Sequence, residues 1–262
     1  MTDYQTIIAE KKGDVLVLTL NRPDRLNAAS IDLAQELSAA LYDLQGARAV
    51  LLTGAGRAFC SGADLQSRGG DSAVAGGDAS HRALMNFYNP LMSQLLHLPV
   101  PVVTAVNGPA AGVGCSMALS GDFVLAGKSA YFLQAFVNIG LVPDGGSTWL
   151  LARAIGKARA TQMMMLGERI GADQAADWGL IYRAVEDAQL MDEALALATR
   201  LAAGPTVALA AMRRTIMSAL DGSFDQTLRA EAEGQRAAGN SQDAREGAKS
   251  FIEKRKPAFT GA

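Results

Sequence analysis

Short apolar runs alternate with stretches where apolar residues recur every three or four positions, and the two patterns take turns along most of the chain. Residues 4–10 and 15–20 are β-branched and apolar. Gly13-Asp14 between them has tight-turn chemistry, so two strands are expected there. Asn21-Arg22-Pro23-Asp24-Arg25 closes the second run, because proline cannot continue a central strand. After Ser30-Ile31-Asp32, the residues Leu33, Leu37, Leu41 and Leu44 fall on one face of a helix. Residues 49–53 form a short buried strand, ended by Gly54-Ala55-Gly56. The order then recurs: a strand at 102–106, a turn at Gly108, a small-residue helix at 111–119, a strand at 123–125 and a helix at 145–154.

Beyond Gly171 the periodicity is helical, with a last strand at 180–185 as the exception. Helices are expected at 190–201, 205–220, 224–238 and 244–255, and Pro205 suits a helix start because its missing N–H costs nothing there. The pattern predicts an α/β core over residues 1–200 and a helical region over 201–262. The stretch 66–80 (QSRGGDSAVAGGDAS) has no apolar period and is long for an ordinary connection; it is either a functional loop or an idle surface excursion.

Composition narrows the function. The chain has 262 residues, 49% of them hydrophobic and 19% charged, enough to bury a core without staples and too apolar for overall disorder. Lys and Arg number 24 against 26 Asp and Glu, and this balance argues against nucleic acid as the main partner. Two cysteines and two histidines give neither a disulfide framework nor a zinc cluster, so no metal is expected. No apolar run approaches the roughly 20 residues of a membrane span, and the first residues lack a secretory signal. A soluble, cytoplasmic protein that does not act on membranes is the expectation.

Two glycine-rich turns carry candidate chemistry. Ala58-Phe59-Cys60-Ser61-Gly62-Ala63-Asp64-Leu65 is one; Asn107-Gly108-Pro109-Ala110-Ala111-Gly112-Val113-Gly114-Cys115-Ser116 is the other and opens a helix. Small residues let a backbone approach a ligand, and two N–H groups aimed at one carbonyl oxygen make an oxyanion hole. The simpler account is that these glycines only permit tight turns and close packing. Gly112-Val113-Gly114 lacks the rest of a dinucleotide fingerprint, and no P-loop lysine or GxSxG serine is present. Asp144, after Pro143 and before Gly145-Gly146, suits either a helix N-cap or a general base, and spacing alone favours the cap. Cys60 and Cys115 sit in apolar surroundings and are expected to pack.

Taken in order, LTLNRPDRLNA (18–28), GRAFCSGADL (56–65), AVNGPAAGVGCSMALSGD (105–122), GLVPDGGSTWLLARAIG (140–156) and the closing FIEKRKPAF resemble the enoyl-CoA hydratase/isomerase (crotonase) family over essentially the whole chain. The resemblance implies an α/β fold: a spiral of ββα units followed by a helical trimerisation region, assembled as a homotrimer or hexamer. It implies an acyl-CoA thioester substrate, with coenzyme A part of the substrate and no separate cofactor. By position, the amides of Ala63 and Val113 would hold the thioester oxygen. Arg25, Leu26, Ser61, Gly62, Asp64, Leu65 and Gly112 would line the coenzyme A channel. Phe251 and Lys254 would reach the adenine end, often from a neighbouring subunit.

The departures from that pattern are as informative. Hydratases of the family carry glutamates where this chain has Ser116 and Phe136, and the acid stands instead at Asp144. Hydration needs one group to activate water and one to deliver a proton. The resemblance is therefore to the isomerases, and within them to the subgroup acting on ring-1,2-epoxyphenylacetyl-CoA in phenylacetate breakdown. A shift of a double bond from 3-enoyl to 2-enoyl is expected, with conversion of the ring epoxide to its oxepin as a further activity. Phe136 would desolvate Asp144, while a helix N-terminus would favour its anion. The alternatives are a hydratase-like member, an aryl-CoA dehalogenase with Asp144 as nucleophile and His81 beside it, or a non-catalytic binding protein of the same fold. The dehalogenases expect tryptophan at Phe136. Trp149 would pack within its helix or help shape a ring-sized pocket.

Overall fold

A computed structural model describes residues 4–64 and 76–262. Leu65, and most of the 66–80 stretch, lie outside the described residues. The first strands, β1 (Ile7–Lys12) and β2 (Val15–Leu20), form an antiparallel hairpin in which Lys12 faces Val15 across a turn with Gly13 at φ +60°. Helix α1 (Ile31–Tyr42) follows, capped by Ser30, whose hydroxyl accepts the Leu33 N–H at 3.1 Å. Leu33, Leu37 and Leu41 are buried, each contributing about 1.5–3 kcal/mol. Leu44 lies just past the helix end and packs on the core edge.

Strands β3 (Ala49–Gly54) and β4 (Val102–Val106) extend the sheet in parallel beside β2. Between them runs a helical stretch that the sequence pattern did not announce: α2 (Gly77–Ala83), a π-helical turn at Leu84–Tyr88, and α3 (Asn89–His97). The π turn puts the buried Ala83 and Tyr88 five residues apart, which hides the helical period. His81 is exposed on α2.

The next elements are β5 (Ala110–Ala111), α4 (Val113–Leu119), β6 (Phe123–Gly127) and β7 (Tyr131–Leu133). Helix α4 starts later than its sequence suggested because Ala110 and Ala111 pair with Phe132 and Leu133 of β7. Helix α5 (Ser147–Leu166) is longer than expected, but Gly156, at φ 73° and ψ 167°, breaks it near the expected end. Then come β8 (Arg169–Gly171), α6 (Ala172–Asp177) and β9 (Arg183–Val185), shorter than the strand expected at 180–185.

The large sheet runs β1-β2-β3-β4-β6-β9, and β5-β7-β8 form a small second sheet. Both faces of the large sheet are covered. Leu16, Leu18, Val50, Leu52, Val102 and Val106 face the main core with α1, α3 and α4. The alternate residues Val15, Val17, Leu51, Val103 and Leu125 face α7 (Leu190–Ala202), which presents Leu190, Ala194, Ala198 and Ala202 at every fourth position. Small residues let α7 lie close to the strands.

Helices α8 (Thr206–Ala219), α9 (Phe224–Gly239) and α10 (Gln242–Ile252) complete the chain. Two arginines hook this region to the core. Arg48 donates to Thr206 Oγ1 (3.0 Å), the Phe259 carbonyl (3.0 Å) and the Gly204 carbonyl (2.6 Å). Arg213, buried on α8, pairs with Asp122 at 2.6 Å and donates to the carbonyls of Leu95 and Leu98. No single helix among the described residues is long and apolar enough to cross a membrane.

Candidate active site

Two backbone segments meet at the carboxyl ends of β3 and β4. After β3 the chain turns and returns through Ala58–Cys60, held by Asn27. This wholly buried side chain donates to the carbonyls of Ala55 (2.9 Å) and Ala58 (2.8 Å) and accepts the Arg22 N–H at 2.8 Å. Cys60 then bridges to the segment after β4: its N–H donates to Pro109 and its carbonyl accepts from Ala111 at 2.9 Å. Gly114 fits only without a side chain, since a Cβ there would lie 2.4 Å from the Cys60 oxygen.

Ala63 sits in a one-residue parallel bridge with Ala29. The Gly62 carbonyl accepts from Ala29 (2.7 Å) and the Asp64 N–H donates back to Ala29 (2.9 Å). Amides alternate direction along an extended chain, so the Ala63 N–H points away from Ala29. Val113 is the first residue of α4, a position whose N–H has no partner within the helix. The Gly112 carbonyl accepts from Cys115 and Ser116, the usual start of the ladder. The glycine before each amide lies against the other: a Cβ on Gly112 would sit 3.6 Å from Gly62 Cα, and one on Gly62 would sit 3.1 Å from the Ala111 oxygen. Gly62, at φ +104°, and Gly112, at φ +54°, both need glycine's freedom.

The Asp144 backbone reaches the first turn of α4 by way of the small sheet. The Gly112 N–H donates to Leu133 of β7, which leads through a 3-10 turn at Ala135–Ile139 toward Asp144. The Phe136 ring lies against Gly112, 3.5 Å from where a Cβ would be. Gly145 is pressed on α4: a Cβ there would meet Val113 Cγ2 at 3.0 Å and Ser116 at 3.1 Å. The Asp144 carbonyl accepts Ser116 Oγ at 3.0 Å, Ser147 Oγ at 2.6 Å and Ser147 N–H at 3.1 Å. Its side chain is half-buried, with Oδ1 out of reach of solvent.

Spacing had favoured Asp144 as an N-cap, and the structure corrects this. The residue at the cap of α5 is Gly146, with φ +81° and no side-chain cap bond. Gly145 and the left-handed Gly146 come between, so Asp144 stands two residues before the cap, outside the helix.

The structure places other expected residues as follows. Ser61 donates its N–H to the Leu26 carbonyl at 3.0 Å and its Oγ reaches the Arg25 carbonyl at 3.4 Å, so Arg25, Leu26 and Ser61 are neighbours. Asp64 is buried and ion-paired with Arg22 at 2.7 Å. Its carboxylate thus braces the loop from within. Phe251 is 85% exposed near the end of α10, and Lys254 follows at φ 53°. Helix α10 packs on α9, whereas the Asp144 carbonyl is held by Ser116 of α4 and Ser147 of α5. Trp149 is stacked under the Arg153 guanidinium, 4.1 Å from its centre, which favours the packing role.

Sequence reasoning missed Arg22, Asn27, Ser147 and Tyr88, whose hydroxyl donates to the Ala29 carbonyl at 2.7 Å and so steadies the strand beside Ala63. Only Asn27 and Arg22 had a signal, as the polar residues of LTLNRPDRLNA. Cys60 and Cys115 are wholly buried, and burial pushes both thiols up to about 12, leaving them protonated packing groups. Among the described residues no group of three or more His, Cys, Asp and Glu could hold a metal.

Two backbone amides beside a carboxylate can polarise a carbonyl and move a proton next to it. The pattern of the enoyl-CoA hydratase/isomerase family matches residues 10–262. The chain belongs to that family. Among the family's members, the 1,2-epoxyphenylacetyl-CoA isomerase of Escherichia coli is 44% identical over 258 residues, covering 97% of this chain and 98% of that one. A probable enoyl-CoA hydratase from Rhodobacter capsulatus is 45% identical over 259 residues, covering 98% and 99%. The crystal structure of an enoyl-CoA hydratase from Bacillus anthracis superposes with a TM-score of 0.92 at 30% identity, covering 98% of this chain and all of that one. The crotonase fold of this family thus accounts for the sheets and helices described above.

Proposed function

We propose that this crotonase-superfamily enzyme is an enoyl-CoA isomerase that uses Asp144 as its one acid/base. The observation that carries the reading is the placement of Asp144. Its backbone carbonyl is held by Ser116 in the first turn of α4, and Gly145 beside it lies against Val113; by resemblance, Ser116 and Phe136 fall where the hydratases carry glutamates. A 3-enoyl-CoA would lay its thioester oxygen on the amides of Ala63 and Val113. Asp144 takes a proton from C2, the electron pair moves onto that oxygen, and the same carboxyl returns the proton at C4 to give the 2-enoyl ester. Each amide contributes about 3 kcal/mol to the enolate. The step is redox-neutral and moves one proton, so it asks for no group beyond the coenzyme A that the substrate brings.

The ring-1,2-epoxide of phenylacetyl-CoA is the second substrate in this reading, supported by the identity to the Escherichia coli isomerase and by Phe136 flanking the carbonyl site. The coenzyme A would pass Arg25, Leu26 and Ser61. Its adenine end would be closed by Phe251 and Lys254 of a neighbouring copy, which suits a side chain left as exposed as Phe251.

The test supplies 3-enoyl-CoA, 2-enoyl-CoA and the ring epoxide separately and follows products by chromatography and mass. Isomerisation should dominate, hydration should be slow, and Asp144→Asn should lower kcat by about 10²–10⁴-fold. Binding of a saturated acyl-CoA should stay within a few fold. Near-normal kcat in Asp144→Asn, or hydration as fast as isomerisation, overturns the proposal. Turnover of the straight-chain ester alone removes the ring substrate and keeps the isomerase.

A further inference from the structure

We infer that Ser116 is a positioning residue whose hydroxyl holds the Asp144 backbone and so sets where the Asp144 carboxylate stands relative to the substrate. The inference deepens the isomerase reading and rests on it. Ser116 is wholly buried on α4. A buried helical serine ordinarily satisfies its hydroxyl on a carbonyl of its own helix, as Ser120 does with Met117 at 2.7 Å. Ser116 instead reaches out of α4 to the Asp144 carbonyl, 28 residues along the chain, at 3.0 Å. Ser147 grips the same oxygen from the α5 side with both its Oγ and its N–H. The Asp144 peptide is therefore fixed by both helices that flank it.

That grip matters because the turn cannot hold itself. Gly145 and Gly146, at φ +60° and +81°, are the residues least able to restrict a backbone. Val113 precedes Ser116 by three residues, one turn of the same short helix. The proposed oxyanion donor and the anchor of the proposed base thus share one rigid element, and the distance between base and oxyanion is set within a single turn. A proton transfer depends steeply on that distance, whereas affinity for the coenzyme A portion does not.

The experiment compares Ser116→Ala with Ser120→Ala, which removes a buried hydroxyl from the residue that ends the same helix without touching Asp144. Steady-state kinetics on 3-enoyl-CoA, binding of a saturated acyl-CoA and melting temperature are measured for each. Ser116→Ala should lower kcat by roughly 10- to 100-fold, with KM and acyl-CoA affinity within about twofold. Ser120→Ala should keep its kcat whatever it loses in melting temperature. Should Ser116→Ala fail to fold, Ser147→Ala reads the same carbonyl and should lower kcat in the same direction. Wild-type kcat in the serine variants, or equal kcat losses in the Ser116 and Ser120 variants, overturns the inference. If Asp144→Asn is inactive in that case, the isomerase reading survives. Activity in Asp144→Asn removes that reading first, and the two failures are told apart.

Discussion

Gly114→Ala tests the joint between the two segments that carry the paired amides. The new methyl carbon would lie 2.4 Å from the Cys60 carbonyl oxygen and 2.7 Å from Cys60 Cβ and Sγ, against ordinary contacts that begin near 3.4 Å. One of the segments must therefore shift by about 1 Å. Helix α4 is held by its fully buried faces, so the yielding part is the stretch around Cys60, two residues before Gly62. Overpacking costs about 1–3 kcal/mol, and the better helix propensity of alanine returns about 1 kcal/mol. At about 2–4 °C per kcal/mol, the melting midpoint should fall by at most about 8 °C. Catalysis should suffer more, because a displacement of about 1 Å at a reacting geometry costs about 10²-fold in rate. Gly171→Ala is the control, since a Cβ there meets nothing within 4 Å. Calorimetry and initial rates on 3-enoyl-CoA decide the matter. Gly114→Ala with the rate of the parent protein would refute the claim that Gly114 sets the spacing of Ala63 and Val113.

The C-terminal tail gives a pH prediction. Hydrogen bonds from Arg255 and from the Ala258 N–H pull the Glu246 carboxyl down to about 2 from the usual 4.5. A depressed carboxyl stabilises the fold fully above its unfolded value and loses that contribution as pH falls through the folded one. Unfolding midpoints of the parent protein and Glu246→Gln should therefore differ by a constant at neutral pH and converge between pH 4.5 and about 2; a gap independent of pH contradicts the assignment. The exposed stripe Met212 and Ile216 on α8, continued by Leu220 at its end and by Phe224 and Leu228 on α9, should be covered by further copies of the chain. Light scattering should report a trimer or hexamer, and a stable monomer at micromolar concentration would remove the neighbour's Phe251 and Lys254 from the proposed adenine site.

How much of this was visible in the sequence differs from element to element. β2, β3 and β4 announced themselves because both sheet faces are covered, which makes their residues apolar without interruption. Helix α7 was legible because Leu190, Ala194, Ala198 and Ala202 keep strict helical spacing. The π turn before α3 was not, since one added residue shifts the apolar spacing to five. β5, β7 and β8 are two or three residues long, too short to show an alternation, and exist through pairing with distant partners. The amides of Ala63 and Val113 were assigned through resemblance alone; the glycines by themselves favoured the tight-turn account. Asp144 shows the limit most plainly. Its neighbours Pro143 and Gly145 fit a cap, and only the tertiary approach of Ser116 and the left-handed Gly146 separate it from the helix.

The place of the site follows from the parallel pairing. β3 and β4 are neighbours running the same way, so the segments leaving their carboxyl ends emerge on one side of the sheet, where open α/β sheets receive ligands. One segment carries Ala63 and the other Val113, and the Cys60–Ala110 bridge ties them together. Asp144 arrives by a separate route, through β7 of the small sheet and the turn after it. The proposed oxyanion pair is thus built into the main scaffold, while the proposed acid/base sits on a connection outside it. In the proposed reading the carboxylate has left the positions of Ser116 and Phe136 and stands at Asp144, with the proposed carbonyl site kept intact. Moving the base changes which carbon it faces, and one fold can then support hydration in one member and isomerisation in another.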